Sequence, residues 1–86
     1  MIIAWYQGAW DDYVEWATQD KAKWKRINQL IADICRNGHE GIGKPEPLKY
    51  ENRGLWSRRI NDEHRLVYDI TNDTVRIWAC RYHYKK

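Results

Sequence analysis

Phenylalanine is absent from this 86-residue chain, and proline and cysteine occur only twice each. Cys35 and Cys80 are too few and too far apart for the disulfide framework that holds small secreted domains together. Neither has a ligand-type neighbour at C-x-x-C spacing, which argues against structural zinc. Both read as buried, reduced thiols, Cys35 in an apolar helical stripe and Cys80 in a strand. No apolar run approaches the ~18 residues of a membrane span, and no basic region followed by an apolar stretch opens the chain. The expectation is a soluble cytoplasmic protein with no membrane attachment. Repeats, low-complexity tracts and Ser- or Pro-rich linkers are also missing, so residues 1–86 read as one domain.

What the chain has instead is large rings and positive charge. A domain of this length buries only roughly 60–65% of its unfolded surface, so its core is thin. Six Trp and six Tyr exceed what such a core hides, and the surplus is expected at a binding surface or a subunit interface. Charge is divided along the chain. Residues 1–20 hold Asp11, Asp12, Glu15 and Asp20 and no Lys or Arg, whereas residues 21–86 hold all fifteen basic residues against eight acids. A basic C-terminal majority favours an anionic partner such as nucleic acid, although a solvated mixed-charge surface gives the same balance.

Apolar periodicity gives the order of elements. Ile2 to Tyr6 reads as a strand, which Gly8 breaks. Trp10, Tyr13, Val14 and Ala17 recur at helical spacing. Asp20 is placed to cap a second helix whose stripe is Ile27, Leu30, Ile31, Ile34 and Cys35, and Asn37-Gly38 supplies its left-handed stop. Gly38, Gly41, Gly43, Pro45 and Pro47 then exclude helix and regular strand. Leu55 to Ile60, Arg65 to Ile70 and Val75 to Tyr84 follow as an antiparallel meander. The predicted fold is α+β, an antiparallel sheet with two N-terminal helices packed on one face and the other face left for function.

The residues with chemistry lie in the second half. Glu46 stands between Pro45 and Pro47, which stiffen the backbone on both sides of it, though a lone loop acid is more often inert. Arg58, Arg59 and Arg65 gather around the first hairpin. Strand alternation sends Arg58 and Arg59 to opposite faces, and Arg65 away from Leu66, Tyr68 and Ile70. Their plain alternative is an ion pair with Glu63 or Asp69. His83 stands near the end of the chain between two tyrosines, where a packing role is the commoner one; His39 and His64 have no supporting constellation. No P-loop, no nucleophile elbow and no metal-ligand spacing is visible, so no cofactor is expected. A carboxylate, a histidine and arginines suffice to cleave RNA through its own 2′-OH.

Four stretches place these residues in a known pattern. They are Glu40-Gly41-Ile42-Gly43-Lys44-Pro45-Glu46-Pro47-Leu48-Lys49, Trp56-Ser57-Arg58-Arg59-Ile60, Glu63-His64-Arg65-Leu66-Val67-Tyr68 and Arg81-Tyr82-His83-Tyr84. Together with Trp10-Asp11-Asp12-Tyr13 and Lys25-Arg26-Ile27-Asn28 they resemble the Txe/YoeB toxins of the RelE superfamily over nearly the whole chain. The resemblance implies a RelE-like, microbial-ribonuclease-like fold and a bacterial toxin–antitoxin system. It implies metal-free cleavage of mRNA in the ribosomal A site, a YefM-like antitoxin and a homodimer. By motif position it makes Glu46 the general base, His83 the general acid, Arg65 the transition-state cation and Tyr84 an orienting residue. Lys49 and Arg59 match positions for phosphate contacts. The family pattern ends at Tyr84, whereas this chain continues with Lys85 and Lys86, an extension that removes any terminal carboxylate from beside Tyr84. His39 stands where the pattern has an aromatic, read as a local packing change.

Two other functions fit parts of the chain. A non-catalytic RNA- or ribosome-binding module would use the same basic face without Glu46 or His83. A helix-turn-helix DNA-binding protein would use residues 9–37, but it would spend the recognition helix on an apolar stripe and leave the arginine-rich strands idle.

Overall fold

In the computed structural model, which describes residues 1–49 and 52–82, the first β-branched and aromatic run forms strand β1 (Ile2–Trp5). Helix α1 (Gln7–Gln19) follows almost at once, and Gly8 lies inside its first turn rather than breaking the chain. Asp20 joins the helices. Its N–H donates to the Trp16 carbonyl at 2.9 Å and closes α1, while its carboxylate accepts from the Lys23 N–H at 3.3 Å and opens α2 (Lys21–Asn37). The Asn37-Gly38 stop is where the sequence puts it: Gly38 has φ 67° and its N–H bonds the Ile34 carbonyl at 2.8 Å. Ile27, Leu30 and Ile34 are buried along α2, but Cys35 is exposed. One residue past Ile34, it is turned about 100° off the centre of the stripe.

Four further strands complete the sheet: β2 (Glu46–Pro47), β3 (Trp56–Arg59), β4 (Arg65–Thr71) and β5 (Thr74–Ala79). Their spatial order is β1-β5-β4-β3-β2. The meander expected from the second half is antiparallel from β2 to β5, but β1 pairs with β5 in parallel, Ile3 opposite Val75, so the sheet is mixed. No hairpin joins those two strands, and the long intervening chain leaves either direction open. The proline-rich segment also contributes β2, although its glycines and prolines argue against regular strand. Pro47 is tolerated because β2 is a two-residue edge strand.

Strand β5 is shorter than the predicted run to Tyr84. A register shift against Val67 and Tyr68 leaves Trp78 as an extra residue, and the strand ends at Ala79. Cys80 is therefore buried beyond the strand, and Tyr82 has φ 61°. His83 and Tyr84 lie outside the described residues. Both helices cover one face of the sheet. Ile27, Leu30 and Ile34 meet Leu66, Tyr68, Val75 and Ile77 there, with Ala9, Trp16 and Cys80. No helix among the described residues is long and apolar enough to cross a membrane.

The most buried charge in this core is Arg58, 0% exposed on β3. All five of its N–H donors are used. Nη1 donates to the Asp33 carboxylate at 2.5 Å and the Ile42 carbonyl at 3.0 Å. Nη2 donates to the carbonyls of Gly38 at 2.7 Å and Glu40 at 2.8 Å, and Nε to the Tyr68 hydroxyl at 3.2 Å. Asp33 also accepts from the Ile42 N–H at 3.0 Å. The loop from α2 to β2 is thus pinned from beneath, and a Cβ on Gly41 would stand 1.9 Å from Asp33 Oδ2. Hydrogen bonds from Arg58 first, and then from the Ile42 N–H, hold the Asp33 carboxyl below its ordinary value of 3.8. Its folded value lies under its unfolded one, so the unfolded chain binds the extra proton. The stabilisation is present above 3.8 and is lost as pH falls through the folded value. Urea midpoints measured downward from neutral pH should therefore fall more steeply below that point in the wild type than in Asp33→Asn. Parallel curves would contradict this pairing.

Candidate active site

Cross-strand partners in an antiparallel pair share a face, so the register decides which functional side chains meet. Arg58 opposes Leu66, and Trp56 opposes Tyr68; these four belong to the helix-covered face. The intervening residues belong to the outer face. Ser57 opposes both Glu46 and Val67, forming one row, and Arg59 opposes Arg65, forming the next. The sheet therefore brings Glu46, Arg59 and Arg65 together on the face away from the helices. Alternation in the sequence had separated Arg58 from Arg59 correctly, and it had turned Arg65 away from the core.

Each of these groups has its own support. Glu46 is exposed on the edge strand, and the loop before it is pinned by Arg58 and by the Arg59 N–H, which donates to the Gly43 carbonyl at 2.7 Å. A Cβ on Gly43 would stand 2.7 Å from Leu30 Cδ2, so the approach to Glu46 runs against the core. Lys49 follows in an exposed turn. Arg59 is exposed. Arg65 folds over the tight turn before β4, its Nη1 donating to the carbonyls of Asn61 at 2.7 Å and His64 at 3.1 Å. The ion pairs with Glu63 or Asp69 foreseen for the arginines are not formed. Asp69 is taken by Arg76, whose Nε donates to Oδ1 at 2.8 Å while Nη2 bonds the other oxygen. Leu55 and Val67 are buried but lie outside the main core cluster.

His83 and Tyr84 cannot be placed, since both lie outside the described residues, but the residue before them is held tightly. The Tyr82 N–H donates to His64 Nδ1 at 2.7 Å, and its carbonyl accepts from the Arg65 N–H at 3.1 Å. The Trp16 indole N–H bonds the Cys80 carbonyl at 3.0 Å. Arg81 lies over the Trp16 ring, 4.2 Å from its centroid, and pairs with Glu15 at 2.6 Å. The acidic N-terminal stretch thus has a use that charge counting could not show: it anchors the C-terminal segment.

His39 and Cys80 have packing surroundings. His39 stacks on Trp56 at 4.1 Å as the aromatic it replaces would, and burial first, then Arg58, pushes its pKa down. Burial pushes the Cys80 thiol up to about 12, so it is no nucleophile. Sequence reasoning missed the structural use of Arg58 and the burial of His64. The only available signal for Arg58 was its place in phase with Trp56 and Ile60, two apolar neighbours of the same strand.

Residues 5–84 match the family described as the YoeB-like toxin of bacterial type II toxin-antitoxin systems. The chain belongs to this family. Toxin YoeB of Escherichia coli (strain K12) is 55% identical over 84 residues, covering 98% of this chain and 100% of that one. Among solved structures, the YoeB dimer from Staphylococcus aureus superposes with a TM-score of 0.93 at 47% identity, covering 98% of each chain. The YoeB–YefM complex from the same organism gives 0.90 at 46%, again covering 98% of each. The YoeB family accounts for the α+β fold with both helices on one face, and it makes this chain the toxin of a toxin–antitoxin system. α2 buries its stripe against the sheet in that fold, which removes the helix-turn-helix reading.

The opposite fates of two adjacent arginines give a direct check of the register. Arg59→Ala should change unfolding free energy by less than about 0.5 kcal/mol, as for other exposed sites. Arg58→Ala should cost at least about 3 kcal/mol, because it strands Asp33 and buried carbonyls. Urea denaturation measures both, and equal losses would contradict the inward and outward assignment.

Proposed function

We propose that this YoeB-family toxin is an endoribonuclease that cuts mRNA in the ribosomal A site by metal-free acid–base chemistry and so stops translation. The observation that carries the reading is the outer-face register: a carboxylate on a pinned edge strand stands in the row beside two outward arginines. Glu46 takes the proton of the 2′-OH. The freed 2′-oxygen attacks the phosphorus, a 2′,3′-cyclic phosphate forms, and the bond from phosphorus to the 5′-oxygen breaks. His83 gives its proton to that leaving oxygen. Arg65 balances the charge that builds on the phosphate oxygens, and Tyr84 orients the acid or the substrate. Arg59 and Lys49 hold flanking phosphates.

The ribosome supplies what so small a surface lacks. In-line placement of nucleophile, phosphorus and leaving group is worth about 7–11 kcal/mol, and a free single strand rarely adopts it. Basic residues on α2 are suited to contact ribosomal RNA. Lys21 and Lys25 are exposed for that purpose, whereas Lys23 is tied to Asp20 at 2.5 Å and Arg26 donates to the Arg59 carbonyl at 3.4 Å. Exposed Tyr6, the residue that precedes α1, and Trp10 and Val14 within it recur every fourth position and support a homodimer. A YefM-like antitoxin follows by analogy with the S. aureus complex.

Single-turnover cleavage of message in programmed ribosomes tests the assignment. Glu46→Gln and His83→Gln should each lose about 10²–10⁴-fold in rate. Wild-type products should end in 2′,3′-cyclic or 3′-phosphate, with no effect of EDTA while ribosomes stay intact. Variants that cut as fast as wild type, or products ending in a 3′-hydroxyl, would rule the mechanism out.

A further inference from the structure

Tyr82 holds a backbone conformation that side chains other than glycine adopt at a cost, φ 61°, in the residue immediately before His83. Such a turn persists only where its surroundings enforce it. Both hydrogen-bonding groups of Tyr82 are taken by one dipeptide. His64 Nδ1 accepts its N–H at 2.7 Å, and the Arg65 N–H donates to its carbonyl at 3.1 Å. The same dipeptide supplies Arg65, the cation of the outer face.

We infer that His64 is a positioning residue, whose Nδ1 grips the Tyr82 amide and so fixes where the chain carrying His83 departs from the start of β4. This rests on the acid–base reading of His83. His64 is 4% exposed and fixed on every side. Its N–H donates to Asn61 Oδ1 at 2.7 Å, and its carbonyl accepts from the Ile60 N–H at 3.0 Å. The ring stands edge-on to Trp16 at 5.0 Å and against Tyr82 at 5.3 Å. An imidazole nitrogen that accepts carries no proton, so the neutral ring keeps its proton on Nε2, the nitrogen 3.5 Å from Glu63 Oε1. Imidazole places an acceptor within a flat ring smaller than that of Tyr or Trp. Without the acceptor, the strained turn at Tyr82 loses one of its two backbone bonds, and the segment bearing the acid drifts relative to Arg65.

Single-turnover cleavage in programmed ribosomes by His64→Phe, His64→Asn and His83→Gln tests the inference. Phe keeps the ring and removes the acceptor; Asn brings an oxygen near the place of Nδ1 and removes the ring. His64→Phe should lose about 10²-fold in the saturating single-turnover rate with the half-saturating concentration unchanged, the scale of a small misplacement of a reacting group. His64→Asn should recover most of that loss, which a packing role for the ring does not allow. With His83→Gln inactive, a Phe variant at the wild-type rate overturns the positioning role alone, as does an Asn variant no better than Phe. His83→Gln at the wild-type rate overturns the parent reading and this inference with it. Should His64→Phe not fold, imidazole nitrogen NMR of the wild-type protein decides without any variant. A bare Nδ1 is expected, and a protonated Nδ1 overturns the inference.

Discussion

The buried guanidinium of Arg58 ties α2, the loop after it and β4 together through polar contacts that hydrophobic packing alone does not supply. Its donors reach the Asp33 carboxylate on α2, three loop carbonyls, and the Tyr68 hydroxyl on β4. A charge this deep is costly unless every donor is met, and here every donor is met. The consequence is positional. With the loop held to α2 and to β3, the edge strand β2 is held in register with Ser57 and Trp56, and Glu46 is carried on the outer face. Inward Arg58 and outward Arg59 are successive residues, so one strand both secures the scaffold and presents a cation to solvent.

The two halves of the proposed chemistry are supported in different ways. Glu46 depends on a loop fixed by polar contacts and by glycines that no side chain could replace without collision at Gly41 and Gly43. The C-terminal segment depends on α1, through Trp16 and through the Arg81–Glu15 pair, and on the start of β4. The edge strand and the segment up to Tyr82 are thus held by separate sets of contacts.

Much of this was legible where the physics is local. The α2 stripe, its Asp20 cap and its Gly38 stop follow from helix geometry and were readable directly, as was the separation of Arg58 from Arg59 by strand alternation. The family motifs identified the toxin fold. What failed to show was tertiary. The parallel pairing of β1 with β5, the two-residue strand at Glu46–Pro47 and the early end of β5 at Ala79 depend on distant partners or on a bulge. Cys35 lies outside the core because the apolar stripe has an edge that composition does not reveal. The burial of Arg58 and His64 left no compositional trace, since both are polar residues of types that usually lie at the surface.

In the proposed mechanism the RNA supplies its own nucleophile, with Glu46 as base, His83 as acid and Arg65 as cation. The most direct measurement places a single 2′-deoxy nucleotide on the 5′ side of the scissile bond in a message held by programmed ribosomes. Cleavage at that bond should disappear while the unmodified message is cut normally. Cleavage of the 2′-deoxy message at the same position and rate would contradict the mechanism.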